Sequence, residues 1–544
     1  MCTFTYVIES VKAVAYGRAA SEALAGAVTS AKAAGPLMPV TVIVPSNFVG
    51  LSARRLLGSG ALERGGKSGV ANVSFVTPFR LAEMAAADLL LEQQPMTNPV
   101  LGAAVRQVLA ADPDVYRPVA QHEATEAALA ALFAELSNVD EAGLESISEE
   151  GSTAALLAVK FYRRIAAQLK GFHTEHDLAT AAADRPDLAD RLSSFGHLIW
   201  YLPASVTPAI GRFIGEALRT APSSSVIVGV SGAPRADEST WRACEAALVG
   251  RHASSVPIAH GDSIISVTDA AEEIREVCSR VIGLVADGVR LDRIGVFFPA
   301  PDPYARIIEQ QFGAAGIPAN GPDPRRLADS VAGRTLLGGL ALPEQRWRRD
   351  RVMSVMSGGP LRFDGASVRP GDWDQLSRDA GVVIDHADWR RKIEYDEQRT
   401  TERLAKLEGG VQSDSVAYQL QRLRDRVADG RRLMAFVDGL HGMVRAVEQA
   451  DSWPTKCAAA AALLQSLLGE ERQHTSWPDH EQESFARVED ALARLAALDD
   501  IEPTPSHDVF QRALRTELDV ARGRHGSFGH GVVFGPIGTA IGHE

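Results

Sequence analysis

The sequence predicts an α/β fold in which two parallel-sheet cores are each interrupted by a helical insertion. Short β-branched runs alternate with Ala-rich stretches of helical composition, an order typical of βαβ units. The runs "VTVIVP", "HLIWYL" and "SVIVGV" are apolar almost throughout, as expected for strands buried on both faces of a parallel sheet. Residues 81–195 and 345–505 lack such runs and are predicted to be the two insertions.

The first core is predicted to comprise residues 1–80 and 196–255. A helix is expected over residues 19–34, because this Ala-rich stretch ends in Gly35-Pro36. The strands of this core are expected over residues 4–8, 40–45, 73–77, 197–202 and 225–230.

The second core is predicted to comprise residues 256–344 and 506–544 and to be incomplete. It is expected to begin with a strand in "SIISV", followed by a helix that starts at Asp269 and ends before Gly288. "RIGVFF" predicts the next strand, and the helix after it should end at Gly316. The Gly-rich tail from Gly526 returns to strand character.

Composition and charge narrow the function classes. The chain has 544 residues and a net charge of −13, which argues against binding through overall charge but leaves room for a local basic groove. The four cysteines are far apart and form no C-x-x-C pair, so we expect no disulfide framework and no zinc site. This usage fits a reducing cytoplasm. We expect neither a membrane span nor a signal peptide.

Four passages carry a family resemblance. They are "PVTVIVPSNFVGLSARRLL", "GVANVSFVTPFRLAEM", the stretch from "GVRLDRIGVFFPAPDPYARIIEQQFGAAGIP" to "GRTLLGGL", and "HGVVFGPIGTAIGHE". Together with the order of sheets and insertions, they resemble superfamily 1 helicases of the AddB/RecC (UvrD/RecB) type. The likeness covers essentially the whole chain and is closest to the N-terminal part of actinobacterial-type PD-(D/E)XK nuclease family proteins.

The resemblance implies two RecA-like cores in a DNA end-processing helicase–nuclease that acts in double-strand break repair and recombination. The implied partners are single-stranded or forked DNA and a motor helicase–nuclease subunit. Relatives continue into a C-terminal nuclease, often with an iron–sulfur cluster. That part is missing here, so we expect a truncated or split protein and an exonuclease as the full-length relative.

The nucleotide site departs from this family. A phosphate loop needs glycines, a Lys and a Ser/Thr, but here Gly17 is followed by Arg18 and Ala19. Tyr201, Leu202 and Pro203 stand where an acid pair should bind magnesium, and "VGVSGAPRAD" lacks the Gln of the third helicase motif. The sequence therefore predicts a degenerate site, no ATP hydrolysis and no cofactor.

The candidate DNA contacts follow predicted strands or combine Trp with Arg, which suits backbone contact, phosphate pairing and base stacking. For the first six residues below, the alternative is a helix cap and a salt-bridged face. For the others, it is a solvated helical face with buried Trp. The candidates are Ser46, Asn47, Arg54, Arg55, Thr77, Arg80, Arg346, Arg348, Arg349, Trp389, Arg390 and Arg391.

Three other patterns are weak. "GGKS" at residues 65–68 is more typical of an exposed polar loop than of a phosphate loop. His173 and His176 have a spacing that would place both rings on one helical face, but no third zinc ligand lies close in sequence. No passage contains the carboxylates and Lys of a PD-(D/E)XK centre, so we predict neither a metal site nor a nuclease centre in this chain.

Three alternatives stay open. The chain could be a protein-interaction scaffold that lost DNA binding, which its acidity favours. It could be an NTPase with an unusual site, which saturable ATP turnover would reveal. It could also be a truncated remnant with little function of its own, which the abrupt stop at Glu544 favours.

Overall fold

The computed structural model describes residues 8–60, 69–252, 255–258, 261–409, 414–470 and 473–541. It is a mixed α/β protein with a five-stranded parallel sheet. The strands are, in chain order, β1 Ser10–Ala15, β2 Val40–Ile43, β3 Val73–Val76, β4 Gln94–Pro95, β5 Phe172–His173, β6 His197–Tyr201, β7 Ser223–Val230, β8 Gly295–Phe298, β9 Ala319–Pro322, β10 Arg362–Phe363, β11 Ala366–Ser367, β12 Arg524–His525 and β13 Val532–Pro536.

Helices make up most of the chain. They are α1 Arg18–Ala31, α2 Asn47–Ser59, α3 Pro78–Ala86, α4 Asn98–Ala111, α5 Glu123–Leu136, α6 Glu141–Glu150, α7 Thr153–Gln168, α8 Glu175–Ala183, α9 Leu188–Ser193, α10 Pro208–Thr220, α11 Pro234–Ala246, α12 Ala270–Ala286, α13 Pro301–Ala315, α14 Val331–Leu340, α15 Arg349–Ser357, α16 Pro370–Asp379, α17 His386–Glu408, α18 Asp414–Gln449, α19 Trp453–Leu468, α20 Asp479–Leu495 and α21 His507–Leu518. Within the described ranges, no helix is long and apolar enough to cross a membrane.

The five-stranded sheet has the order β1-β7-β6-β2-β3, with every neighbouring pair parallel. The strands predicted from "VTVIVP", "VSFVT", "HLIWYL" and "SVIVGV" are confirmed as β2, β3, β6 and β7. Helices α1 and α2 cover one face, and α3, α8, α9, α10 and α11 cover the other. Burial on both faces explains why the central strands are almost wholly apolar.

The first strand differs from the prediction. Residues 4–7 of the run predicted at 4–8 lie outside the described residues, and the strand that precedes α1 is β1, "SVKAVA". It occupies the sheet edge and is only partly buried, so its composition lacks the apolar run that marks the central strands.

A second, four-stranded sheet has the order β12-β9-β13-β8, with β13 parallel to both β8 and β9. The predicted start of the α12 helix at Asp269 and the end of α13 at Gly316 are confirmed. The prediction of a strand in "SIISV" is wrong. These residues join no sheet and Ile264 is 98% exposed, so an apolar run here has no neighbouring strand to pair with.

The described residues divide into two compact units. The first comprises 8–96, Gln121–Pro322 and 525–541, and the second comprises Thr97–Ala120 and Asp323–Arg524. Helix α4, inside the predicted 81–195 insertion, belongs to the second unit, as does α21 from the predicted second core. In α21, the Gln511 amide and the His507 ring both bond to the Leu340 carbonyl at the end of α14.

Candidate nucleic-acid interface

The carboxyl edge of the five-stranded sheet contains a crevice between β1 and β7. These two strands are neighbours, yet the helices that follow them cover opposite faces: α1 lies on one side and α11 on the other. Open parallel sheets bind ligands at such a reversal, outside the carboxyl ends of the strands. This is where a phosphate loop would hold a nucleotide.

Side chains fill this crevice. A Cβ built on Gly229, near the end of β7, would lie 2.4 Å from Cε1 of Tyr16 and 2.6 Å from Cδ2 of Leu202. The Tyr16 hydroxyl lies 3.5 Å from Oγ1 of Thr240 on α11. Burial raises the pKa of Tyr16, which keeps the phenol neutral. The phenol and the leucine therefore occupy space that phosphates would need.

The residues predicted to form a degenerate nucleotide site lie at the ends of β1 and β6. Gly17 has a φ of 84° and precedes α1 without offering a side-chain cap, while Arg18 is exposed and pairs with Glu22 at 2.8 Å. Tyr201 and Leu202 are 3% and 0% exposed.

The chain after β6 is held by backbone bonding rather than by a metal-binding acid. The N–H of Leu202 donates to the Ile227 carbonyl at 2.9 Å, and the residue has a φ of 52°. Pro203 follows and is also buried. No carboxylate from this segment is placed to bind magnesium.

A buried acid that sequence reasoning missed closes the loop after β7. The Asp237 carboxylate accepts bonds from the N–H and hydroxyl of Ser231, at 2.7 and 2.8 Å, and from the N–H of Gly232 at 3.0 Å. Asp237 is 6% exposed. It binds backbone of its own chain in the segment compared with the third helicase motif. Its position six residues after a Ser-Gly turn was the available signal.

The other half of the same edge carries two capped helix starts. The Ser46 hydroxyl accepts from the N–H of Val49 at 3.3 Å, and the Thr77 hydroxyl accepts from the N–H of Arg80 at 3.3 Å. Strands β2 and β3 pair in register, Ile43 opposite Val76, so the starts of α2 and α3 lie at one edge. The structure therefore brings these two predicted sites together. Both hydroxyls are helix caps.

The arginines near this edge differ in the contacts that their guanidinium groups make. Arg54 on α2 is exposed and has no ion pair within the described ranges. The Arg55 guanidinium lies 5.4 Å from the centre of the Phe528 ring, and Arg80 pairs with Glu83 at 2.5 Å. Asn47 is exposed beside the Ser46 cap. Of the predicted cations here, Arg54 is the most available to a phosphate.

Sequence reasoning missed the aromatic partner of α2. Phe528, in the segment between β12 and β13, lies 6.1 Å from Phe48 between ring centres as well as under Arg55. Gly529 follows with a φ of 77°, and a Cβ there would collide with the Arg55 guanidinium. Arg55 therefore has a structural role in holding this return segment.

The arginines predicted at residues 346–349 are each paired with a carboxylate. Arg346 pairs with Asp385 at 2.7 Å, and Arg348 pairs with Asp350 at 3.0 Å. Arg349 pairs closely with Asp374. The segment is thus a solvated face with its charge largely balanced.

The predicted stacking by Trp389 is corrected by its burial. Trp389 is 0% exposed and its indole N–H donates to the Trp347 carbonyl at 2.9 Å, so a base cannot reach the ring. Arg390 pairs with Asp438 at 2.8 Å and Arg391 with Asp388 at 2.5 Å. The Trp is core, and only the arginines face solvent.

The remaining sequence patterns yield no metal site. His173 lies on β5 and His176 on α8, which corrects the expectation that both rings share one helical face. Residues 65–68, the "GGKS" pattern, lie outside the described residues. Within the described ranges, no group of three or more His, Cys, Asp or Glu side chains could hold a metal ion.

The two halves of the sheet edge therefore differ in what they can bind. The half at β1 and β7 is closed by Tyr16 and Leu202. The half at β2 and β3 presents two helix starts with Asn47 and Arg54 exposed beside the first. No family model matches the chain, and no curated protein matches it either.

Proposed function

We propose that this protein is an ATPase-inactive, AddB/RecC-like scaffold that binds single-stranded or forked DNA within a helicase–nuclease. Its role is in the processing of double-strand break ends and in recombinational repair in the cytoplasm. The five-stranded sheet and the four-stranded sheet are its two RecA-like cores. A partner subunit supplies the motor, and the parent protein is a PD-(D/E)XK exonuclease.

The proposal rests on the difference between the two halves of the carboxyl edge of the five-stranded sheet. Tyr16 and Leu202 fill the crevice where a nucleotide would sit, while β2 and β3 end at helix starts that leave Asn47 and Arg54 exposed. Backbone N–H groups at helix starts, together with an exposed guanidinium, suit contact with a phosphodiester backbone. The edge thus keeps a surface suited to a strand without room for ATP.

The path of the chain also supports two cores. After β9 the chain leaves the second sheet at Asp323 and returns as β12 at the sheet edge and then as β13, which pairs between β8 and β9. A long excursion followed by a central parallel strand matches the layout of a core with a helical insertion, which is the layout that the sequence resemblance implies.

The test is fluorescence anisotropy of labelled single-stranded and forked DNA over a salt series, with and without Mg-ATP. We expect salt-dependent binding that ATP leaves unchanged. Arg54→Ala should weaken binding and reduce the slope of log affinity against log salt by about 0.7, the value for one contact on a single strand. Arg212→Ala is a matched control, because Arg212 is exposed on α10, which covers the opposite sheet face.

Two results would contradict the proposal. Absence of binding at low salt would exclude the DNA-holding role of this chain. Saturable ATP turnover by the wild-type chain would show that the crevice admits nucleotide.

A protein-interaction scaffold without DNA binding is the second candidate. The observation in its favour is that Arg346, Arg349 and Arg390 are each engaged by an aspartate. Such pairing offsets the positive charge of these three arginines. Capture of a protein partner that is insensitive to DNA, together with no DNA binding, would select this alternative.

A further inference from the structure

The second sheet ends in an open edge at β8. Its order is β12-β9-β13-β8, and among the described strands β8 pairs only with β13. The N–H of Val533 donates to the Ile294 carbonyl at 3.0 Å. Because the backbone groups of successive residues in a parallel strand point to opposite sides, the N–H and carbonyl of Gly295 face away from β13. Gly295 is exposed, so this edge is open to an added strand.

An exposed apolar run lies in the same unit. Residues 263–267, "SIISV", are all exposed and form no strand in the described structure, although Ile and Val favour strands. The Ser263 hydroxyl accepts a hydrogen bond from Arg280 at 2.9 Å, while Asp269 caps the start of α12, so the run lies along this helix. The last turns of α12 beside it also expose apolar side chains, those of Ile282, Leu284 and Val285. Neighbouring exposed apolar side chains are typical of a protein–protein interaction site.

The topology of this sheet indicates which sequence the β8 edge fits. Helices α12 and α13 pack into one core on the same face of the sheet, and α13 connects β8 to β9. Crossover connections between parallel strands are right-handed. A strand that preceded α12 would therefore lie on the side of β8 away from β13, which is the open edge. Because the run that precedes α12 is residues 263–267, this chain's own sequence fits the edge.

Opposite charges flank the run and the edge. Asp262 directly precedes the run, and Arg293 comes shortly before β8. Both are exposed, and neither has an ion-pair partner in the part of the chain that is described. The Asp292 carboxylate beside Arg293 is itself paired with Arg290 at 2.9 Å. If the run pairs parallel to β8, residue 262 lies beside the start of β8, so the carboxylate of Asp262 meets the guanidinium of Arg293.

We infer that two copies of this chain associate by strand exchange, in which residues 263–267 of each copy pair with the β8 edge of the other. Within one chain the run is held along α12 and the edge stays open, whereas a two-fold dimer buries both. Each copy gives one run and accepts one, as a symmetric interface requires. The exposed apolar side chains at the end of α12 then lie beside the added strand. This dimer surface is independent of the proposed DNA-binding role.

The test is analytical ultracentrifugation of the full chain over a concentration series, in which we expect a reversible monomer–dimer equilibrium. Ile264→Lys should weaken the dimer about tenfold, because a few central contacts carry most of the binding energy of an interface. Ile264 is 98% exposed in the single chain, so its replacement should not disturb folding, which circular dichroism would check. Leu91→Lys is the matched control: Leu91 is 82% exposed elsewhere in the first unit and its replacement should leave the equilibrium unchanged.

A charge exchange tests the pairing itself. Asp262→Arg or Arg293→Asp alone places like charges beside each other and should weaken the dimer about threefold. The double variant restores an opposite pair and should recover the affinity of the wild type. Hydrogen exchange of the backbone amides in β8 and in residues 263–267 should slow as the dimer forms.

Three results would overturn the inference. A chain that stays monomeric throughout the series overturns it, and slow hydrogen exchange at β8 in that monomer would mean that the chain's own run closes the edge. A dimer that Ile264→Lys leaves intact associates through another surface. A double charge variant that dimerises as weakly as the single variants would exclude the parallel pairing that brings Asp262 to Arg293.

Discussion

Arg106 on α4 and Glu502, 396 residues later in the chain, form a bidentate ion pair inside the second unit. Arg106 Nη2 lies 2.6 Å from Glu502 Oε2, and Nε lies 3.1 and 3.2 Å from the two carboxylate oxygens. Both side chains are 11% exposed. The Glu502 carbonyl also accepts the indole N–H of Trp453 at 2.7 Å. The pair thus ties α4 to helices that follow it by most of the chain length.

Breaking this pair should destabilise the second unit. Arg106→Ala leaves a carboxylate with little solvent and no partner, so we expect a loss of about 3 kcal/mol of unfolding free energy. Urea unfolding followed by tryptophan fluorescence would measure it, since Trp453 reports on this region.

The control for that prediction is an exposed pair. Arg163→Ala removes the partner of Glu141, whose side chain is 68% exposed, and should leave the urea midpoint nearly unchanged. The double variant Arg106→Met with Glu502→Leu should recover much of the loss, because no charge then remains buried. A double variant as unstable as Arg106→Ala would contradict this account.

Because Tyr16 and Leu202 lie close to Gly229, we predict that replacing this glycine destabilises the protein. A Cβ at this position would meet Tyr16 at 2.4 Å, so Gly229→Ala should cost about 1–3 kcal/mol through overpacking. Thermal unfolding of the purified variants would measure the effect. Gly26→Ala on α1 is the matched control, because nothing lies within 4 Å of its Cβ position.

The two alanine variants should differ in sign. Gly26→Ala should stabilise by about 0.5–1 kcal/mol, since alanine favours a helix interior over glycine. If both variants lowered the melting temperature equally, the close approach of Tyr16 and Leu202 to Gly229 would not be what excludes a side chain.

Much of the first sheet could be predicted from the sequence because its signals are local. The apolar runs of β2, β6 and β7 follow from burial on both faces, and Asp269 and Gly316 mark helix ends by their own backbone preferences. Strand β1 could not be placed by the same rule, since it is an edge strand with partly exposed residues.

The division into units could not be predicted, because it depends on contacts between distant residues. The Arg106–Glu502 pair joins α4 to the rest of the second unit, yet neither residue lies in a distinctive local sequence pattern.

The burial of the candidate DNA residues could not be predicted from local sequence either. "WRRK" predicts an aromatic and basic surface equally well whether Trp389 is exposed or, as found, buried.

Stability of the first sheet should fall in mild acid because of His197. Its Nδ1 lies 2.6 Å from the Ser223 hydroxyl and its Nε2 lies 3.0 Å from that of Ser225. Burial lowers the pKa of His197, while the charge of Glu9 opposes this. The unfolded chain therefore binds a proton more readily than the folded one, and stability is lost as the pH falls below about 6.5, the ordinary pKa of histidine.

Urea unfolding of wild type and His197→Gln between pH 5 and 8 would test this. The free-energy difference between the two proteins should depend on pH below about 6.5 and be constant above it. His122→Gln, at an exposed position, is the control and should track the wild type throughout. A difference between wild type and His197→Gln that stays constant across the range would exclude His197 as the titrating group.

Lys456 is buried against the end of α18, and we expect it to make the free energy of unfolding depend on pH in the alkaline range. Its ammonium group donates to the carbonyls of Val447 and Glu448 at 2.9 and 3.1 Å, and the residue is 1% exposed. Burial lowers the pKa of Lys456, with Glu448 and Asp451 opposing the shift. Because the unfolded chain then holds the proton more tightly, stability should rise as the pH increases towards about 10.4, the ordinary pKa of lysine.

Lys456→Met removes both the proton equilibrium and the two hydrogen bonds. The stability advantage of the wild type over this variant should therefore grow between pH 7 and 10, as the neutral amine keeps donating to the carbonyls without a buried charge. Chemical unfolding at several pH values would measure it, with Lys406→Met at an exposed position of α17 as the control. An advantage that shrinks with rising pH would mean that the charge itself, rather than its hydrogen bonds, holds the end of α18.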